Sequence, residues 1–155
     1  MKSTFLILIL SLFSWTAHAQ SSCYLGETDP RTGKVFASDN DYQDELARWQ
    51  SKAPSMPGPI SLLRAYRVYS AEKDRAAAMK SDKLAHCYMG CRISQTTDYA
   101  TADYVGWLKE DRDIKDCRKT SHYDEHDYIA TLRGAQLGET QKTAQECLRA
   151  CEQVY

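Results

Sequence analysis

Three residues far apart in the chain carry side chains that could work together as a catalytic set: His86, Glu110 and Asp127. An imidazole between two carboxyl groups suits general acid–base work or metal-assisted hydrolysis, provided the fold brings the three together. His86 immediately precedes Cys87, so on a helix it points about 100° away from that cysteine. Lys83 and Gly90 share its side and, less closely, so do Asp82 and Ile93.

A denser group follows at His122, Asp124, Glu125, His126 and Asp127. His122 and His126 stand at i and i+4, on one helical face, and are the candidates for a metal pair. In the H-E-x-x-H helix of zinc proteases the glutamate follows the first histidine; here Glu125 precedes the second. Polar residues that open a helix commonly cap it and meet its dipole, so this run reads first as a solvated helix start. A third group, Lys109 to Asp116, alternates in charge and reads as an exposed helical face, with Glu110 and Asp113 on the same side.

The six cysteines include two C-x-x-x-C pairs, Cys87 with Cys91 and Cys147 with Cys151. Residues four apart lie one helical turn above each other, so each pair presents its thiols along one stripe. Antiparallel packing of the two helices would join Cys87 to Cys151 and Cys91 to Cys147, leaving Cys23 to pair with Cys117. Parallel packing would swap the two rungs, and six cysteines allow fifteen connectivities. A structural zinc site is the rival reading, but its ligands usually sit on loops or include a histidine partner.

Certain elements must position these residues. Residues 1–19 read as a signal peptide: Lys2 is the positive start, Phe5 to Phe13 the apolar stretch, and Ala17-His18-Ala19 the cleavage box. The apolar stretch is shorter than the roughly 20 residues a membrane span needs, so the expected product is exported, periplasmic or secreted, and not membrane-embedded. Residues 20–59 are rich in turn formers, from Asp29-Pro30 to Pro57-Gly58-Pro59, and read as a loop-rich N-terminal arm. One short helix fits inside it, Tyr42 to Ser51, with Asp41 as its cap.

From 60 to 155 helical periodicity takes over, and strand signals nearly vanish. The expected helices run from 60 to 79, from Ser81 or Asp82 to an end near Ser94 to Thr97, from Tyr99 to Asp116, from His122 to Gly134, and from Thr140 to Tyr155. Leu62, Leu63, Tyr66, Val68 and Tyr69 form the expected apolar side of the first of these. The fold class is therefore all-α: a small disulfide-stapled helical domain behind a loop-rich arm.

The formal net charge of −1 argues against an electrostatic nucleic-acid binder. No P-loop, dinucleotide fingerprint or G-x-S-x-G occurs, and nothing calls for a cofactor. An even cysteine number in an exported chain favours disulfides over a thiol nucleophile.

Asp82-Lys83-x-x-His86-Cys87-x-x-x-Cys91, Gly106-Trp107-Leu108-Lys109-Glu110-x-x-Asp113 and Asp127-x-x-Ala130-x-x-x-Gly134 together resemble a small domain of exported bacterial proteins. Similar domains stand at the C-terminal ends of polymorphic-toxin-type modular proteins. The resemblance spans Asp82 to Gly134, and Thr131 stands where those domains tend to carry Asn. It implies association with secreted effectors or surface proteins and carries over no particular reaction.

Two function classes follow. The first is a protein-binding module, an inhibitor, immunity or envelope accessory factor whose partner is another protein. Stapling, near-neutral charge and the absence of a catalytic motif favour it. The alternative is a small secreted hydrolase or toxin-type effector that uses His86, Glu110 and Asp127.

Overall fold

Helix starts in this chain are set by short polar side chains that satisfy backbone amides left over at the first turn. The computed structural model describes residues 26, 28, 33, 35–116 and 123–155, and helices dominate it. The signal peptide, the Cys23–Cys117 pairing and His122 lie outside those residues.

Helix α1, Asp39–Gln50, is capped by Ser38, whose hydroxyl accepts from the Asp41 amide. Asp41 is thus inside the helix and not its cap. Helix α2, Pro59–Ala77, begins with proline at its first turn, where the missing N–H costs nothing. Helix α3, Asp82–Thr96, is capped by Ser81, which accepts from Leu84 N at 3.1 Å. Helix α4, Tyr99–Asp116, has the bounds its periodicity suggests, and Asp98 accepts from Thr101 N at 2.7 Å.

Helix α5, Glu125–Gly138, starts three residues later and ends four residues later than expected, with Asp124 as its cap. Gly134 does not stop it, because that glycine is a packing surface. Helix α6, Ala144–Glu152, is shorter than expected at both ends. Thr143 and Glu146 form a capping box there, so the helix cannot start at Thr140.

The central feature is the pairing of α3 with α5. A Cβ added at Gly134 would lie 1.8 Å from the Cys87 carbonyl oxygen, one at Gly138 2.5 Å from that of Cys91, and one at Gly90 2.1 Å from that of Thr131. Only glycine permits so close an approach. The matched order, Cys87 with Gly134 and Cys91 with Gly138, makes the two helices parallel. Helix α4 crosses α5 antiparallel, with Gly106 against Thr131 near the middle of both helices and Glu110, further along α4, against Asp124 at the start of α5.

On the other side of α3, α6 runs antiparallel and is joined by two disulfides, Cys87–Cys151 and Cys91–Cys147. All four cysteines are fully buried, in a cluster with Leu84 and Tyr88. Such cross-links belong to an oxidising environment.

The segment before α2 is more than a loop. An isolated bridge joins Thr28 and Val35, and Phe36, Tyr42 and Trp49 enter a core with Trp107, Ile114 and Tyr123. Tyr42 donates to the Ile114 carbonyl at 2.8 Å, tying α1 to the end of α4. Helix α2 instead lies at the periphery. It buries Ala65, Val68 and Ala76, while Leu63, Tyr66 and Tyr69 of the expected apolar side face solvent. No helix among the described residues is long and apolar enough to cross a membrane.

Candidate active site between α3, α4 and α5

Charged residues from three helices meet where α3, α4 and α5 come together. His86 Nε2 lies 3.7 Å from Asp82 Oδ1, one turn back on α3, and 3.7 Å from Asp127 Oδ2 on α5. Lys83, also on α3, forms ion pairs with Asp124 and Asp127. On α4, Lys109 pairs with Asp113. Glu110 Oε2 accepts from the Asp124 amide at 3.0 Å.

This geometry brings the three residues singled out in the sequence into one neighbourhood. His86 and Asp127 face each other directly, and Glu110 reaches the residue that caps α5. Within the α4 run read as exposed, the carboxylates are buried, Glu110 at 0% exposure, Asp113 at 3% and Asp111 at 7%, while Lys109, Arg112 and Lys115 are exposed as expected. The start of α5 read as solvated is buried as well, at Glu125 and Asp127. The reason is packing. Glycines at 90, 106 and 134 draw the helix backbones so close that the charged first turn of α5 is enclosed between its neighbours.

A separate polar network fixes where α5 begins. Arg48 of α1 bonds Glu45, the Tyr123 hydroxyl at 2.9 Å and Glu125 at 2.7 Å, while Lys52 pairs with Glu125. Tyr123 donates to Glu45 at 2.9 Å, and its ring packs edge-on against Trp49 at 5.3 Å. Helix α1 thereby anchors the residues on either side of Asp124 and holds Asp127 in place.

Burial dominates the electrostatics of the cluster. It pushes the Glu110 carboxyl up to about 8, with Asp113 and Asp127 adding to the rise, against the Asp124 amide and Lys109. Burial likewise holds the His86 imidazole well below its usual range, helped by Lys109 and Lys83 and opposed by Asp82 and Asp113. Burial also raises Asp127, although Lys83 counters it. For Lys83 burial acts downward, but its hydrogen bonds to Asp124 and Asp127 prevail and raise it. Near neutral pH the cluster thus holds a neutral imidazole and a protonated carboxylic acid. Differently tuned neighbours of this kind are what acid–base chemistry requires.

Buried carboxylates with an incomplete set of partners are unusual in a folded core. Glu110 Oε1 is buried and finds no hydrogen-bond partner among the described residues. Three further residues belong to the site although the sequence did not single them out as functional: Asp82, Lys83 and Thr131. The available signal was helical spacing, since Asp82 and Lys83 precede His86 by four and three residues. His126 is more than half exposed and bonds Asp124 through Nδ1 at 3.0 Å. No family model, curated protein or solved structure matches the chain.

Proposed function

We propose that this chain is a small exported hydrolase of the toxin-type effector kind, with its reaction run in the polar cluster between α3, α4 and α5. The observation that carries the reading is the approach of His86 on α3 to Asp127 on α5 at 3.7 Å, with Glu110 of α4 bonded to the amide of Asp124 three residues before Asp127. Enclosing so many ionisable groups costs desolvation free energy that apolar residues of similar size would avoid. In the proposed division of labour, the His86–Asp127 end activates water, and Glu110, held in its acid form, gives a proton to the leaving group.

The test compares the exported wild-type chain with His86→Ala and Asp127→Asn, scoring growth inhibition of target cells and hydrolytic turnover. Circular dichroism and non-reducing mass analysis confirm that each variant is folded and oxidised. Loss of both readouts in folded variants supports the hydrolase. Full biological activity in both sinks it.

One observation favours the binding-module reading: the exposed row Ile60, Leu63, Tyr66 and Tyr69 along α2. Tyr and large aliphatic side chains are common interface anchors. If Leu63→Ser with Tyr66→Ser abolished biological activity and the His86 and Asp127 variants did not, a protein partner would explain the function better.

A further inference from the structure

The His86 ring is held by a chain of hydrogen bonds that fixes which nitrogen carries the proton. Thr131 donates its one hydroxyl hydrogen to the Asp127 carbonyl one turn back, at 3.0 Å. Its oxygen then serves as acceptor for His86 Nδ1, 3.3 Å away. A neutral imidazole donates from one nitrogen and accepts at the other. The proton therefore belongs on Nδ1, and Nε2 turns its lone pair toward Asp82 Oδ1 and Asp127 Oδ2.

A lone pair facing two anionic oxygens is repulsive unless a cation joins them. Each separation, 3.7 Å, is too long for a direct hydrogen bond. It is close to the spacing of two ligands on one ion, since groups about 2.1 Å from a tetrahedral ion lie about 3.4 Å apart. All three ligand atoms lie within 4.8 Å of one another.

We propose that Asp82 Oδ1, His86 Nε2 and Asp127 Oδ2 bind a divalent transition-metal ion of the Zn2+ or Mn2+ class. One imidazole with two carboxylates suits these ions, whereas Ca2+ and Mg2+ prefer oxygen throughout. The Nδ1–H bond to Thr131 is the support that metal-bound histidines commonly have, as it fixes tautomer and ring orientation. Asp127 gives its other oxygen to Lys83, which leaves Oδ2 to the ion. The carboxylates of Asp82, Asp113, Asp124 and Asp127 outnumber the ammonium groups of Lys83 and Lys109, so the surroundings favour a cation.

Three protein ligands leave positions open for water, the arrangement of a catalytic ion as opposed to a structural one. What the ion does rests on the hydrolase reading; that it binds does not.

The test is isothermal titration calorimetry of the oxidised chain with Zn2+ alone, after chelation and dialysis. We expect one ion per chain. Asp82 is exposed, so Asp82→Asn leaves the core untouched, and it should weaken binding at least tenfold. His86→Gln should do the same, and Thr131→Val should weaken binding by about 10–100-fold through lost orientation. His126→Ala, outside the triad, should bind as the wild type does. Absence of saturable binding, or unchanged affinity in Asp82→Asn, overturns the proposal, as does loss of binding in His126→Ala alone. Saturable binding without hydrolysis would defeat the hydrolase reading and leave the ion site standing. Hydrolysis that survives exhaustive chelation would leave the hydrolase reading standing and overturn a catalytic part for the ion.

Discussion

Glu110 is a carboxyl group fully removed from water, with one oxygen on the Asp124 amide and the other without a partner among the described residues. Its folded-state value near 8 stands above the ordinary 4.5. Between those values the folded chain holds a proton that the unfolded chain releases. The stabilisation from this proton is therefore complete below about pH 4.5 and is lost as pH rises through 8. Lys109 and Asp113 on α4 and Asp127 on α5 face the group, and Glu110→Gln leaves them in place. Glutamine mimics the protonated acid without titrating. Thermal melts in metal-free buffer should therefore show the variant close to wild type at pH 5 and increasingly the more stable of the two toward pH 9. Parallel curves would contradict the assignment. At this scale the sequence was informative about residue types but not about burial. His86, Glu110 and Asp127 could be picked out by chemistry, yet alternating charge on α4 looked like a wet surface because nothing local reveals what packs over it. Thr131 was noticed only as a departure from a resemblance, and its bond to His86 is a tertiary fact.

Helices α3 and α5 are positioned by missing side chains. At Gly134 a methyl group would meet the Cys87 carbonyl at 1.8 Å, and a backbone atom cannot rotate out of the way. Gly134→Ala should therefore destabilise the fold by about 3 kcal/mol. It should also spread α3 from α5 and loosen the His86–Asp127 contact. Chemical denaturation measures the first effect, and the His86 ring resonances report the second. A change below about 0.5 kcal/mol, the size of an ordinary surface substitution, would show that the two helices are not so tightly apposed. The same glycine explains a misread boundary. A glycine after an apolar run usually signals a helix end, whereas here it marks where two helices touch. The extents of α2, α3 and α4 were legible because their periodicity and caps are local. Which side of α2 is buried was not, because Tyr66 and Tyr69 look like core residues until it is known that nothing among the described residues covers them.

For the whole molecule, the two disulfides act as one device. In the loop-closure account, the first cross-link between α3 and α6 closes a loop of about 60 residues and is worth roughly 4 kcal/mol. Once it exists, the second closes only the short ring between the rungs and adds about 2.5 kcal/mol. Removing Cys91 and Cys147 together should thus cost about 2.5 kcal/mol, and removing all four cysteines roughly 7 kcal/mol. Urea unfolding of the two variants checks this, and equal costs for the first and second removals would reject it. The antiparallel rungs were readable from i, i+4 spacing up to the choice of direction, which only the packed helices decide.

The central claim is that the buried cluster performs proton transfer and does not merely hold helices together. Glu110→Gln separates these directly, because at pH 7 the substitution keeps the acceptor for the Asp124 amide and should not destabilise the chain. The decisive measurement is the hydrolytic activity of that variant beside wild type at pH 7, with growth inhibition of target cells as the readout until a substrate is identified. Loss of a general acid predicts a fall of about 100-fold or more in a fully folded protein. Activity equal to wild type would show that Glu110 is structural and that the cluster is not a catalytic site of this kind.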